Sequence, residues 1–284
     1  MIELSIIVPC RNEVRYINGC INSILHQDFL HEAMEVWFVD GMSTDGTRQI
    51  ITDYCTRYPF MHMVDNQNFI VPSALNIGIA HSTGNVVMRL DVHTTYASSY
   101  VSTLVAKLAE LKADNVGCAC NTDVIESNPK SLAIKTVMSS RFGVGNSVFR
   151  VGTDVEQLVD TVPFGCYRRD VFDRFGMFDE RLARNQDIEF NKRIINGGGK
   201  IYLIPQKLCT YYTRCNFSDI ARSSYQNGLW NILTIKITGR LSALSVRHLV
   251  PVTFMLSLIL PILLSPLMPV LLLLPVAILD RKST

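Results

Sequence analysis

The sequence predicts an α/β protein with a mostly parallel sheet and helices on both faces, carrying a C-terminal membrane-associated hydrophobic segment. Apolar runs alternate with helical periodicity through residues 1–120. These runs are apolar almost continuously, the pattern of parallel strands buried on both faces. Residues 249–279 then contain no charged side chain.

Taken in order, "LSIIVP" (4–9) reads as the first strand, and Ile17, Ile21, Ile24 and Leu25 follow at helical spacing. "EVWFVD" (35–40) is the second strand, with Ile50, Ile51, Tyr54, Cys55 and Tyr58 marking the next helix. "FMHMVD" (60–65) is a weaker third strand. Ala74, Leu75, Gly78 and Ile79 give a short helix near whose first turn Pro72 sits. "NVVMRL" (85–90) is the fourth strand, Val101 to Leu111 a helix, and "NVGCAC" (115–120) a fifth strand.

Polar residues gather just past three strands. Pro9, Arg11, Asn12 and Glu13 follow the first, Asp40, Ser43, Asp45 and Gly46 the second, and Asp91 and His93 the fourth. Open α/β sheets bind ligands beyond the carboxyl ends of their strands, so this edge is the expected site. It lacks the G-x-G-x-x-G dinucleotide fingerprint and the P-loop, and "DGMSTDG" departs from the calcium-loop order. Asp91 and His93 offer one carboxylate and one imidazole, which suit an octahedral Mg²⁺ or Mn²⁺ completed by diphosphate oxygens and water, the imidazole tilting the choice toward Mn²⁺. On its own an Asp-x-His pair is equally an ordinary loop.

"SIIVPCRNE", "VDGMSTDGT", "NIGIAHSTGNVVMRLDVH" and "RNQDIEF", in that order, resemble the inverting nucleotide-sugar glycosyltransferases of family 2, with the GT-A fold. The likeness runs from Leu4 to Arg214, and "RLDVH" with the segment 160–190 is most similar to membrane-associated enzymes of succinoglycan-type exopolysaccharide synthesis. The resemblance implies a GT-A nucleotide-sugar-binding fold, with Pro9, Arg11 and Glu13 at the nucleotide and Asp40 accepting from uracil N3–H. Asp91 falls where the metal-binding Asp-x-Asp begins, His93 replacing its second Asp. Asp187 falls on the catalytic base, preceded by Gln186 where the family has Glu. Gln226 and Trp230 keep the spacing of the processive synthases' Q-x-x-R-W, but Leu229 replaces its arginine, so a processive polymerase is not expected.

The implied reaction moves a sugar from a nucleotide-diphosphate donor, a UDP-sugar, to a polyprenyl-diphosphate-linked saccharide at the cytoplasmic face of a bacterial inner membrane. A divalent cation on the diphosphate stabilises developing charge, and Asp187 takes the acceptor proton on the opposite face. Asn185 reads as the N-cap of the helix carrying Asp187, whose dipole would favour the ionised form. Arg89, Gln186, Arg168, Arg184 and Trp230 are candidates for the acceptor or the diphosphate; a solvated basic face is the other reading of Arg168, Arg169, Arg181 and Arg184. Two further functions share part of the pattern. A nucleotidyltransferase would need a basic, glycine-rich loop after the first strand, whereas "PCRNEVRYI" has no glycine. A catalytically inactive scaffold binding nucleotide sugars or glycans, beside other polysaccharide-assembly proteins, would not depend on Asp187.

The chain then divides into a catalytic domain at 1–217, an amphipathic interface region at 218–248, a hydrophobic membrane segment at 249–279 and a basic tail at 280–284. The segment 249–279 is long enough for a bilayer, yet five prolines interrupt it, leaving a hairpin or one kinked span. Basic residues on both flanks favour the hairpin. Lys plus Arg number 27 against 25 Asp plus Glu, a net charge of +2, which excludes the basic excess of a nucleic-acid protein. The chain opens "MIELSIIVPC", without the n- and h-regions of a signal peptide, and the eight cysteines are expected to be reduced and mostly buried.

Overall fold

Strand Leu4–Cys10 buries Leu4, Ile6 and Val8 on one face and Ile7 on the other. This two-sided burial is why the run is apolar throughout. The computed structural model describes residues 2–266, apart from 146, 214, 215, 246, 247, 249 and 265. The chain alternates β1 (Leu4–Cys10), α1 (Ile17–Leu25), β2 (Met34–Asp40), α2 (Thr47–Arg57), β3 (Met61–Asp65), α3 (Val71–His81) and β4 (Val86–Arg89). There follow β5 (Thr94–Tyr96), α4 (Tyr100–Glu110), β6 (Asn115–Asp123), α5 (Pro129–Ser139), and the short α6 (Arg141–Val144) and α7 (Val148–Val151). Next come β7 (Gln157–Leu158), β8 (Cys166–Arg168), α8 (Asp170–Phe175), α9 (Gln186–Asn196), β9 (Ile201–Tyr212), α10 (Phe217–Thr238) and α11 (Val250–Leu264).

Among the described residues the strands form one nine-stranded sheet, ordered β3-β2-β1-β4-β8-β6-β9-β5, with β7 beside β9. β3, β2, β1 and β4 are parallel, as the alternation predicts. Beyond them the sheet is mixed: β8 runs antiparallel to both β4 and β6, and β5 antiparallel to β9. β5 and β8 are three residues each, too short for periodicity to register. β9 shifts register against β6 between Ile204 and Cys209, where Pro205 lies, the bulge that tolerates a proline inside a sheet.

On one face of the sheet Ile17, Ile21 and Ile24 of α1 and Leu104 and Leu108 of α4 share one core with β1, β2, β6 and β8, α4 lying over β6 and β8. The other packs Ala74, Leu75 and Ile79 of α3 and Phe190 and Ile194 of α9 onto Ile7, Val39 and Leu203. Gly78 permits the approach of α3, since a methyl there would collide with Ile7 and Val39. The seven described cysteines are free, six of them buried.

By compactness the chain divides into Met1–Ala243 and Leu244–Thr284. In the first unit α10 stops at Gly239, whose φ of +66° supplies the left-handed C-cap. In the second, α11 has 15 residues with apolar side chains exposed around it, and no described helix is long and apolar enough to cross a membrane. The sequence-predicted segment 249–279 lies partly outside the described residues, and the tail 280–284 wholly so.

Candidate active site

The turns leaving β1 and β2 are stitched to each other before any ligand is considered. The Asn12 N–H donates to Ser43 Oγ (2.8 Å), Glu13 N–H to Thr47 Oγ1 (2.8 Å), and Thr44 N–H to Asn12 Oδ1 (2.9 Å). Asn12 sits at φ +55°, a conformation asparagine tolerates better than most residues. Asp40, completely buried, anchors the second turn: its carboxylate accepts from the Ser43 N–H (2.9 Å), the Ser43 hydroxyl and Arg48 Nη1 (2.7 Å). Arg48 also reaches Asp65 Oδ1 (2.8 Å), so one guanidinium ties the ends of β2 and β3.

Between these turns and the start of α3 lies a cavity of about 150 Å³ lined by Pro9, Arg11, Glu13, Asn66, Phe69 and Ile70 among others. Phe69 is half exposed at φ +61°, and the Arg11 guanidinium lies 4.6 Å from its ring centroid. An aromatic held in the left-handed region beside a cavity is strain of the kind that collects at ligand sites. Asn66, 2% exposed, holds the turn by donating to Ile70 O (2.9 Å) and accepting from Asn68 N–H (3.1 Å).

The turn between β4 and β5 carries the Asp-x-His pair. Arg89 grips Asp91 with both prongs, Nε to Oδ1 at 2.8 Å and Nη2 to Oδ2 at 3.0 Å. Burial acts against the Arg89 charge, but Asp91, and Asp187 beyond it, raise its pKa above the ordinary arginine value. The Tyr96 hydroxyl accepts from Asp91 N–H (2.8 Å) and donates to Asp91 C=O (3.2 Å), clamping the turn. Burial, with Asp91 nearby, pushes that phenol well above its ordinary pKa and keeps it a donor. His93 Nε2 meets Glu13 Oε1 at 2.9 Å and its ring meets Tyr16 edge-on at 4.5 Å. A carboxylate and an imidazole two residues apart suit a divalent cation in kind. Here, however, Asp91 is engaged by Arg89 and His93 by Glu13, and among the described residues no group of three His, Cys, Asp or Glu converges as a metal centre.

Asp187 stands in the first turn of α9, its Oδ1 accepting from Ile188 N–H (2.9 Å). Asn185 occupies the N-cap position as expected but does not cap with its side chain. At φ +62° it turns that side chain to α10, donating to Asn231 Oδ1 at 2.9 Å. Gln186 is 7% exposed and its Oε1 has no hydrogen-bond partner among the described residues. Arg184 donates to Asn227 Oδ1 (3.2 Å), and Trp230 is half-buried on α10.

The structure therefore brings Pro9, Arg11, Glu13, Asp40, Arg89, Asp91 and His93 to one sheet edge, with Asp187 within electrostatic reach of Arg89. Arg168 is not among them. It pairs in register with Val86 at the opposite end of β4 and forks onto Asp170 at 2.9 and 2.7 Å, because β8 runs antiparallel. Arg169 is anchored beside it on Gly84 O and Ser82 Oγ, and Arg181 forks onto Asp179. Phe69, Asn66, Arg48, Tyr96 and Tyr16 belong to the site and were missed by sequence reasoning. Only Arg48, directly after the "DGT" turn, carried a local signal.

A family model described as "Glycosyl transferase family 2" matches residues 5–176. The chain is 29% identical over 211 residues to the succinoglycan biosynthesis protein ExoA of Rhizobium meliloti, covering 74% of this chain and 63% of that protein. It is 25% identical over 239 residues to the dolichyl N-acetyl-alpha-D-glucosaminyl phosphate 3-beta-D-2,3-diacetamido-2,3-dideoxy-beta-D-glucuronosyltransferase of Methanococcus voltae, covering 82% and 74%. Among solved structures, S. aureus TarS 1–349 in complex with UDP-GlcNAc superposes with a TM-score of 0.61 at 19% identity, over 82% of this chain and 67% of that one. Mannosyltransferase PcManGT from Pyrobaculum calidifontis, in complex with GDP-Man and Mn²⁺, gives 0.62 at 19%, over 82% and 64%. At those identities the likeness establishes an α/β, GT-A-like fold with a curled mixed sheet.

Proposed function

The chain belongs to glycosyl transferase family 2, and from that premise we propose that it transfers a sugar, with inversion, from a UDP-sugar to a lipid-linked saccharide in bacterial surface polysaccharide synthesis. The observation that carries the reading is the edge just described: a cavity between the β1 turn and Phe69, at the same sheet edge as a partly buried Arg89–Asp91 pair with Asp187 in reach. UDP and UDP-GlcNAc bound to the S. aureus neighbour support a uridine donor, and the names of the relatives support a lipid-linked or exopolysaccharide acceptor.

In this reading the nucleobase enters the cavity against Phe69, with Asp40 and Arg48 holding its walls. The diphosphate lies toward Arg89 and Arg11, whose positive charges oppose the charge that develops as the C1–O bond breaks. Asp91 and His93 would hold a divalent cation, Mn²⁺ or Mg²⁺, which supplies further positive charge at the diphosphate. Asp187 accepts the proton of the acceptor hydroxyl as its oxygen attacks C1 from the opposite face, a contribution of about 10²–10⁴-fold. Gln186, buried beside it, has an oxygen left for an acceptor or protein donor.

Localisation at the cytoplasmic face of the inner membrane belongs to the same reading, supported by the apolar surface of α11 and the uncharged run 249–279. The test is calorimetric titration of the full chain with UDP, with and without Mn²⁺, beside transfer assays on Asp187→Asn. The expected result is UDP binding in both proteins, strengthened by Mn²⁺, with transfer lost by about 10²-fold or more in the variant. Undiminished transfer in Asp187→Asn sinks the assignment of the base; an absence of UDP binding sinks the donor.

A further inference from the structure

The arginines that sequence alone nominates for an anionic acceptor are mostly committed to partners: Arg168 to Asp170 and Arg181 to Asp179 by forks, and Arg169 to backbone and hydroxyl oxygens. Two cations at the ligand edge are differently placed. Arg15, in the turn leaving β1, and Lys130, in the first turn of α5, have no ion-pair or hydrogen-bond partner among the described residues. Both line a concavity of about 730 Å³, together with Tyr16, Glu126, Asn128 and Asn216.

This concavity is joined to the site already described. Its Tyr16 wall is the ring that meets His93 edge-on, and β6, from whose end Glu126 and Asn128 follow, points its carboxyl end the same way as β1 and β4. The backbone that carries the exposed Lys130 is fixed in place. Asn128 accepts from Ser131 N–H and its own N–H donates to Ser131 Oγ, a reciprocal capping box that pins the first turn of α5. That turn contains no acidic residue, so a lysine there stands against the positive end of the helix dipole. Two unpartnered cations and a helix N-terminus around one hollow leave a positive field, with Glu126 the acidic residue among its lining and Asp219 bonded to Asn216 behind it. Tyr16, Asn128 and Asn216 add an aromatic face and amide groups of the kind that meet sugar hydroxyls.

We propose that this concavity, resting on the transferase reading above, is the acceptor subsite, with Arg15 and Lys130 holding the diphosphate of a lipid-linked saccharide.

The probe is farnesyl diphosphate, titrated into the detergent-solubilised full chain, with inorganic pyrophosphate and UDP in parallel. In Arg15→Gln/Lys130→Gln, farnesyl diphosphate affinity is expected to fall about tenfold or more, the scale of charge-assisted bonds to an anion, while UDP affinity stays within about twofold. Arg15→Lys/Lys130→Arg should retain most of the farnesyl diphosphate affinity. Unchanged farnesyl diphosphate binding in the glutamine variant overturns the proposal, as does its displacement from the wild-type protein by UDP. Pyrophosphate binding as tightly as farnesyl diphosphate, with the same dependence on both residues, makes this a free-anion site and overturns the lipid-linked assignment. Absence of UDP binding in the wild type counts against the donor reading alone.

Discussion

At the residue scale, the side chains at the sheet edge divide into those that hold the backbone and those left for ligand. Asp40 is the former, completely buried and saturated by Ser43 and Arg48. Phe69 is the latter, half exposed and kept at φ +61°. Strain at such a position costs about 1–3 kcal/mol, and stacking of a base on an aromatic ring contributes about 1–3 kcal/mol. Phe69→Gly should therefore raise the melting temperature slightly, yet weaken UDP binding about tenfold. A variant that loses stability and keeps its affinity would count against a nucleobase on this ring. Glu35, away from the site, sets an acid-stability term. Burial acts against its charge, but the Thr83 N–H with the Ser5 and Thr83 hydroxyls outweighs that and lowers its pKa. A depressed folded-state value means that this contribution is complete above the unfolded value of about 4.3 and is lost as pH falls through the folded pKa. Urea melts of Glu35→Gln should show a flatter stability profile below about pH 4.3 than the parent; identical profiles would remove Glu35 as a source of acid sensitivity.

At the scale of elements, the site depends on where strands stop and which way they run. β1, β2 and β4 end at one edge because parallel strands put equivalent ends together, so the turns bearing Arg11, Asp40 and Asp91 become neighbours without proximity in sequence. β8 reverses, and this sends Arg168 to the far end. α9 is set by a side-chain bond rather than a cap: Asn185 reaches Asn231 of α10, so the position of Asp187 depends on a helix more than thirty residues later in the chain. Tyr96 does the same for the Asp91 turn, returning from β5 to bond that residue's N–H and C=O.

At the scale of the whole molecule, Met1–Ala243 and Leu244–Thr284 are separate compact units, and every side chain argued into the transfer reaction belongs to the first. A chain ending at residue 243 should bind UDP with the affinity of the full chain but cease to float with phosphatidylglycerol vesicles, a difference that flotation and calorimetry read separately. Continued flotation would place the membrane contact in the first unit, where α10 exposes Phe217, Tyr225 and Ile232. The sequence by itself determined the first four parallel strands, the helices between them and the edge at which Pro9, Glu13, Asp40, Asp91 and His93 gather. Continuous apolar runs and polar strand ends are local patterns, set by burial on both faces of a sheet. Only the tertiary structure decided the direction of β8, the engagement of Asp91 by Arg89 and the arrival of Phe69, Tyr96 and Asn231 at the site. The direction of β8 and the arrival of Phe69 and Asn231 join segments far apart in the chain, while Arg89 and Tyr96 reach Asp91 within one turn by single side-chain bonds; neither kind of contact leaves a period for a sequence to display.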